Sequence, residues 1–130
     1  LQYQFVIPID NGIKNMKIIL EKIVKTEQAS FLAVIKKFGP KNQNLLTFPI
    51  EGYTLSMDFK VSTSIIFLLQ YLDDMIADMG GKIYLTKDAI MKEKVFKSTY
   101  SNWYKFEEIR EKYGAIGKFS SDQSRRLGLS

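Results

Sequence analysis

Apolar and polar positions alternate from the first residues of the chain. Tyr3, Phe5 and Ile7 fall on one side of LQYQFVIP and Gln2 and Gln4 on the other, the period of two that a half-buried strand imposes. The pattern then lengthens. Asp10 stands where a helix N-cap is wanted, and Ile13, Met16, Leu20, Ile23 and Val24 follow at helical spacing to about Thr26, with lysines outward. Ser30 to Phe38 (SFLAVIKKF) reads as a second strand, stopped by Gly39-Pro40 because proline brings no amide hydrogen to a ladder.

A loop with Asn42, Gln43 and Asn44 leads through the apolar patch LLTFPI to Gly52. There the alternation is cleanest, with Tyr53, Leu55, Met57 and Phe59 against Thr54, Ser56, Asp58 and Lys60. A second helix is expected from Ser62 or Thr63 to Met79, with Ile65, Ile66, Leu69, Leu72, Ile76 and Met79 inward and Gly80-Gly81 as its left-handed stop. KIYLT reads as a fourth strand. MKEKVFKSTYSNWYKFEEIREKYG gives two short helices broken near Ser101, and SSDQSRRLGLS reads as a polar tail in which Arg125 and Arg126 are solvated or meet another domain.

The order strand, helix, strand, strand, helix, strand predicts an α+β fold: a ferredoxin-like split βαβ antiparallel sheet with helices on one face, plus a C-terminal helical extension. Strands one and three are then central neighbours. The face away from the helices meets water, a ligand or another domain, and it carries Gln2, Gln4, Thr54, Ser56 and Asp58, the last placed to pair with a lysine at the strand end. Lys36 shares a strand face with Leu32, Val34 and Phe38, where a cation asks for a partner or a route to water. Tyr53 and Trp103 read as packing anchors.

Composition narrows the chemistry. The 130 residues, 45% hydrophobic, make one domain, residues 1–130. Cysteine and histidine are both absent, which excludes disulfides, thiol nucleophiles, zinc fingers and histidine-based acid–base or metal sites. Chemistry falls to Lys, Tyr, Asp, Glu, Ser or amides, and no metal is expected. The net charge of +5 comes from basic residues scattered in ones and twos, a solvated surface rather than a nucleic-acid site. The apolar run 64–72 is far short of the roughly 20 residues a membrane span needs, so no transmembrane segment is expected. The chain opens in a strand without Met or a charged leader, as expected of a piece of a longer protein with no signal peptide.

LQYQFVIP, SFLAVIKKFGPKNQ, LTFPIEGYTLSMDF, GGKIYLTKDA and FSSDQSRRLGL, in that order, resemble the carboxy-terminal part of the FAD-linked sugar oxidases of the vanillyl-alcohol-oxidase superfamily. The resemblance implies a substrate-binding cap domain whose partner is its own N-terminal FAD domain, absent here. It implies hydride transfer from a secondary alcohol of a sugar, a polyprenyl-phosphate pentose among the candidates, to flavin. It makes Gln2, Gln4 and Lys36 substrate-binding residues and Tyr84 a pocket tyrosine, and it sets Lys87 beside the flavin. Thr54 and Ser56 stand where the family has asparagine and cysteine, keeping those pocket positions small and polar. The implied setting is cytoplasmic, with membrane association through a lipid-linked substrate and an epimerising reductase as partner.

Chemistry asks for similar groups. Loss of hydride from a carbinol needs its hydroxyl proton drawn off, and the reduced flavin gathers negative charge. Lys87 is the catalytic and cofactor-binding candidate because a fixed ammonium stabilises that charge, with Tyr84 as a proton relay. On a regular strand those two side chains would point to opposite faces, so the strand must end or bend between them. The isolated piece is expected to be inactive and, with a domain-facing surface open, to self-associate. The alternative is a free-standing ferredoxin-like module for a small molecule or single-stranded RNA. RNA modules place aromatics on the open face, whereas Tyr3, Phe5, Tyr53 and Phe59 alternate onto the buried side.

Overall fold

The computed structural model describes residues 1–28, 30 and 32–129. Its elements are β1 (Gln2–Pro8), α1 (Gly12–Val24), β2 (Ala33–Phe38), β3 (Gly52–Asp58), α2 (Thr63–Asp78), β4 (Lys82–Ile83), α3 (Glu93–Thr99), α4 (Trp103–Lys112) and α5 (Asp122–Arg126). The four strands form one antiparallel sheet in the order β2-β3-β1-β4, so the first and third strands are central, as expected. The fold is α+β. Tyr3, Phe5 and Ile7 of β1 and Leu55 and Met57 of β3 join Met16, Ile19, Leu69, Leu72 and Ile76 in one core, which places α1 and α2 on the same sheet face.

Local chemistry explains several boundaries. Ser62 caps α2 by accepting from the Ile65 amide at 3.2 Å, and Gly80, at φ +74°, ends it in the left-handed conformation that glycine tolerates. Gly52 is required by close approach: a Cβ there would sit 1.9 Å from the Ile7 carbonyl oxygen.

Other expectations are corrected. The residue before α1 is Asn11, left-handed at φ 57° and with no capping bond, so Asp10 is not the cap. The buried stripe of α1 is Gly12, Met16, Ile19 and Ile23, while Ile13 and Val24 are 73% and 67% exposed. The helix docks through Gly12, where a Cβ would lie 2.8 Å from the Tyr53 ring, and this contact turns its buried face by about one position. The second strand begins at Ala33 rather than Ser30; Phe31 lies outside the described residues. The fourth strand has only two residues and gives way to a 3-10 turn over Leu85–Lys87.

The largest correction concerns the end of the chain. Residues 120–129 are not a polar tail: Ser121 and Ser124 form a capping box at the start of α5, and Leu127 and Leu129 are buried in the main core. The face away from α1 and α2 is also not uniformly wet. Phe48 folds over it, edge-on to Phe38 at 5.8 Å and stacked on Tyr84 at 4.4 Å, and Val6 and Thr54 beneath are buried.

Candidate functional site

Strand register brings most of the expected residues onto that second face. Gln4 pairs with Ser56 and Gln2 with Asp58 across β1 and β3, while Thr54 pairs with Lys36 and Ser56 with Val34 across β3 and β2. Directly paired residues of a sheet share a face, so Gln2, Gln4, Thr54, Ser56 and Lys36 stand together. Their exposures differ. Lys36 is exposed on the edge strand, Gln2, Gln4 and Ser56 are half-buried, and Thr54 is 1% exposed.

Thr54 holds its neighbour in place. Its hydroxyl donates to the Phe5 carbonyl at 2.7 Å and accepts from Gln4 Nε2 at 3.1 Å. A hydroxyl has one proton, and that proton is committed to Phe5, so the amide nitrogen of Gln4 must face Thr54. The Gln4 carbonyl oxygen is thereby turned away from Thr54.

Tyr84 follows at the β4 edge. Its backbone amide donates to the Gln4 backbone carbonyl at 2.8 Å, and its ring lies against Phe48 on the same face. The strand ends at Ile83, and the Lys87 amide returns to the Tyr84 carbonyl at 2.9 Å. A turn of about three residues brings positions 84 and 87 toward one side, which removes the strand geometry that would have opposed them. Lys87 is half-buried and, among the described residues, has no ion pair.

The residue after Lys87 was not singled out from sequence, yet it anchors the turn. The Asp88 side chain is 1% exposed; Oδ1 accepts from the Ile90 and Met91 amides at 2.9 and 2.7 Å, and Oδ2 from Gln123 at 3.3 Å and Arg126 at 2.8 Å. Arg126 also donates to the Met91 carbonyl, so its guanidinium is engaged within the chain although the side chain is half-buried, whereas Arg125 is exposed and pairs with Asp122. Gln123 and Arg126, three apart on α5, were the available signal, since such a spacing puts both on one helix face. Asp58, expected to meet a lysine, has no ion pair among the described residues; its amide donates to Ser30 Oγ at 2.9 Å.

A buried acid was also missed. Tyr3 donates to Asp73 Oδ1 at 2.7 Å, while Oδ2 has no partner among the described residues. Burial foremost pushes the Asp73 carboxyl from its usual 3.8 up to about 7, with the charges of Asp88 and Asp74 adding to the rise and the Tyr3 hydrogen bond and Arg126 opposing it. Burial likewise raises Tyr3 well above the ordinary tyrosine range. This pair lies on the helix side of the sheet, away from Gln4 and Ser56. An open apolar groove of about 580 Å³ between α1 and β2, lined by Ile13, Leu20, Val24, Ile35 and Tyr53, also lies on that side.

No model of a known protein family matches the chain. Decaprenylphosphoryl-β-D-ribose oxidase of Mycolicibacterium smegmatis is 36% identical over 129 residues, which cover 99% of this chain and 28% of that protein. A Streptomyces coelicolor protein described as an uncharacterized protein in the mprA 5' region is 32% identical over 97 residues, 74% of this chain and 26% of that protein. The chain therefore spans about a quarter of the length of these relatives. No described helix is long and apolar enough to cross a membrane. Over nearly its whole length the chain is a homologue of one portion of decaprenylphosphoryl-β-D-ribose oxidase, in keeping with the part of an FAD-linked oxidase that its residues resemble.

Proposed function

We propose that the chain is the substrate-binding cap of an FAD-dependent oxidoreductase that oxidises a secondary alcohol of a sugar, a polyprenyl-phosphate pentose being the candidate closest to the relative's name. The observation that carries this reading is the gathering of Gln2, Gln4, Ser56, Lys36 and Tyr84 on one sheet face in a chain homologous to such an oxidase. The FAD-binding domain would be a separate, N-terminal part of the same protein. A lipid-linked substrate would bring the enzyme to a cytoplasmic membrane surface, and an epimerising reductase would take the oxidised product.

The residues fit a flavin at the Lys87 end of the face. Both Asp88 oxygens are engaged by amides, Gln123 and Arg126, so the adjacent carboxylate does not neutralise the Lys87 ammonium. FAD, when bound, supplies the hydride acceptor. Lys87 holds positive charge where the reaction builds negative charge, an electrostatic contribution worth about 10²–10³ in rate for a single well-placed donor. Tyr84 relays the carbinol proton, its hydroxyl accepting that proton as it hands its own on to solvent. Gln4, its amide orientation set by Thr54, offers its carbonyl oxygen to a sugar hydroxyl, and the Gln2 amide and Ser56 hydroxyl add a donor and an acceptor. Lys36, at the exposed edge, suits a charged or hydroxylated part of the substrate. The aromatic rings of this face, Phe38, Phe48 and Tyr84, lie against one another, which favours the sugar reading over a base-stacking RNA module.

The test is anaerobic reduction of the flavin in the full-length protein by polyprenyl-phosphate pentoses. Wild type is expected to bleach, and Lys87→Met to bleach about 10²- to 10³-fold more slowly. A full-length protein that binds no flavin, or a Lys87→Met variant reduced at the wild-type rate, overturns the assignment.

A further inference from the structure

A second polar hollow, of about 360 Å³, lies between loop 41–47, β4 and the turn joining α3 to α4. It is within the size range of small-molecule sites. Its walls include Lys41, Lys82, Asn42, Asn44, Thr47 and Asn102 and, among the described residues, no aspartate or glutamate. Lys82 is half-buried, with Nζ donating to the Thr47 carbonyl at 2.9 Å and standing 5.0 Å from the centre of the Tyr100 ring. One of its three ammonium hydrogens is thus used, and among the described residues no carboxylate pairs with it. Burial, and then the charge of Lys41, make its ionised form harder to hold, so its pKa is lowered.

Three further observations concern the same hollow. Thr47 is 8% exposed, and its buried hydroxyl has no partner among the described residues; an unpaired buried hydroxyl is costly and rare. The loop is held in shape by its own bonds, Asn44 N–H to Asn42 Oδ1 at 3.0 Å and Thr47 N–H to the Asn44 carbonyl at 3.3 Å. The ten-residue helix α4 begins at the wall, with an Asn102 side chain that makes no capping bond, so the positive end of a helix adds to the two lysines. Two lysines with no carboxylate partner among the described residues, and carboxamides around a hollow whose described lining holds no acid, make a setting that an oxyanion completes.

We propose that this hollow is a binding site for a phosphate group, carried as a monoester or diester. Lysine ammoniums and carboxamide N–H donors suit its oxygens, and the hollow leaves room for a substituent. It adjoins the sugar face: Lys82 pairs with Val6 on that face, and Phe48 and Tyr84, next to Thr47 and two residues beyond Lys82, stack between the two regions. The proposal does not depend on the redox reading, because its primary test measures binding.

The full-length protein is titrated calorimetrically with inorganic phosphate at low ionic strength. Wild type is expected to bind one phosphate. Lys41→Ala, which removes an exposed side chain, and Lys82→Met are each expected to weaken binding about tenfold or more, the scale of one charge-assisted hydrogen bond, while Lys14→Ala on the exposed side of α1 leaves it unchanged. Absence of phosphate binding, or binding unaffected by Lys41→Ala in a folded protein, overturns the proposal. If Lys82→Met fails to fold, Lys41→Ala alone decides. The source of the phosphate is found by comparing phosphorylated and phosphate-free sugars as reductants. A KM increase in Lys41→Ala confined to the phosphorylated sugar assigns the site to the substrate's own phosphate. Weakened phosphate binding with both KM values unchanged assigns it to a separate phosphate ligand. A protein that oxidises no sugar yet binds phosphate through Lys41 loses the redox reading and keeps this one.

Discussion

Replacing Asp73 by Asn tests whether the core carries an acid that folding prefers neutral. The carboxyl is 2% exposed, one oxygen accepts from Tyr3 at 2.7 Å and the other has no partner among the described residues. Burial lifts it from the usual 3.8 to about 7. With the folded value above the unfolded one, the native state binds the proton more tightly. Its stabilising contribution is therefore complete below about pH 4 and is lost as pH rises through about 7. A gap of about three pH units corresponds to roughly 4 kcal/mol over the whole range, of which more than half, roughly 2–3 kcal/mol, is lost between about pH 5 and pH 8. Asn keeps an acceptor for the Tyr3 hydroxyl and never ionises. Asp73→Asn should therefore gain on wild type by roughly 2–3 kcal/mol between those two pH values, seen as about 10 °C in the difference between thermal midpoints for a chain of this size. Comparing variant with wild type at each pH cancels the titration of other groups. A difference in midpoint that is equal at both pH values would refute the reasoning, because it would mean that Asp73 ionises as readily folded as unfolded.

Two other substitutions test the supports of the site. Asp88→Ala strands the amides of Ile90 and Met91 and the guanidinium of Arg126, so it should cost about 3–5 kcal/mol and speed amide hydrogen exchange in α5 before it affects α2. Gly52→Ala forces a Cβ to within 1.9 Å of the Ile7 carbonyl oxygen, in strands whose register cannot slip without turning buried residues outward. A loss of about 3 kcal/mol or more in urea unfolding is expected, and a near-neutral result would mean that β1 and β3 do not approach as described.

The parts of the fold that could be read from sequence are those set by near neighbours. Tyr3, Phe5 and Ile7, and Leu55 and Met57, announce their buried face by alternation alone; Ser62 and Gly80 bracket α2 by cap and stop. What could not be read depends on partners far along the chain. The orientation of α1 is set by Gly12 against Tyr53, and a helical period does not distinguish the stripe through Ile13 and Leu20 from the one through Gly12 and Ile19. The last ten residues look polar because their polarity is spent internally, with Gln123 and Arg126 reaching Asp88 across 35 and 38 positions.

The same distinction governs the candidate site. Strand alternation brings Gln4, Ser56 and Lys36 to one face, but it treats Thr54 as their equal, and only the arrival of Phe48 and the loop before β3 makes Thr54 a buried brace for Gln4. By spacing alone, a lysine beside an aspartate at a strand end is a solvated side chain or a member of a weak surface ion pair. That reading fails for a reason invisible at this spacing. Asp88 turns inward and spends its carboxylate on two amides, Gln123 and Arg126, so the neighbouring ammonium keeps its charge at the end of a turn that begins at Tyr84. The C-terminal helix thereby supports the turn that carries Lys87: Gln123 donates to the Leu85 carbonyl at 2.6 Å, and Arg126 and Gln123 occupy the carboxylate that would otherwise compete for Lys87.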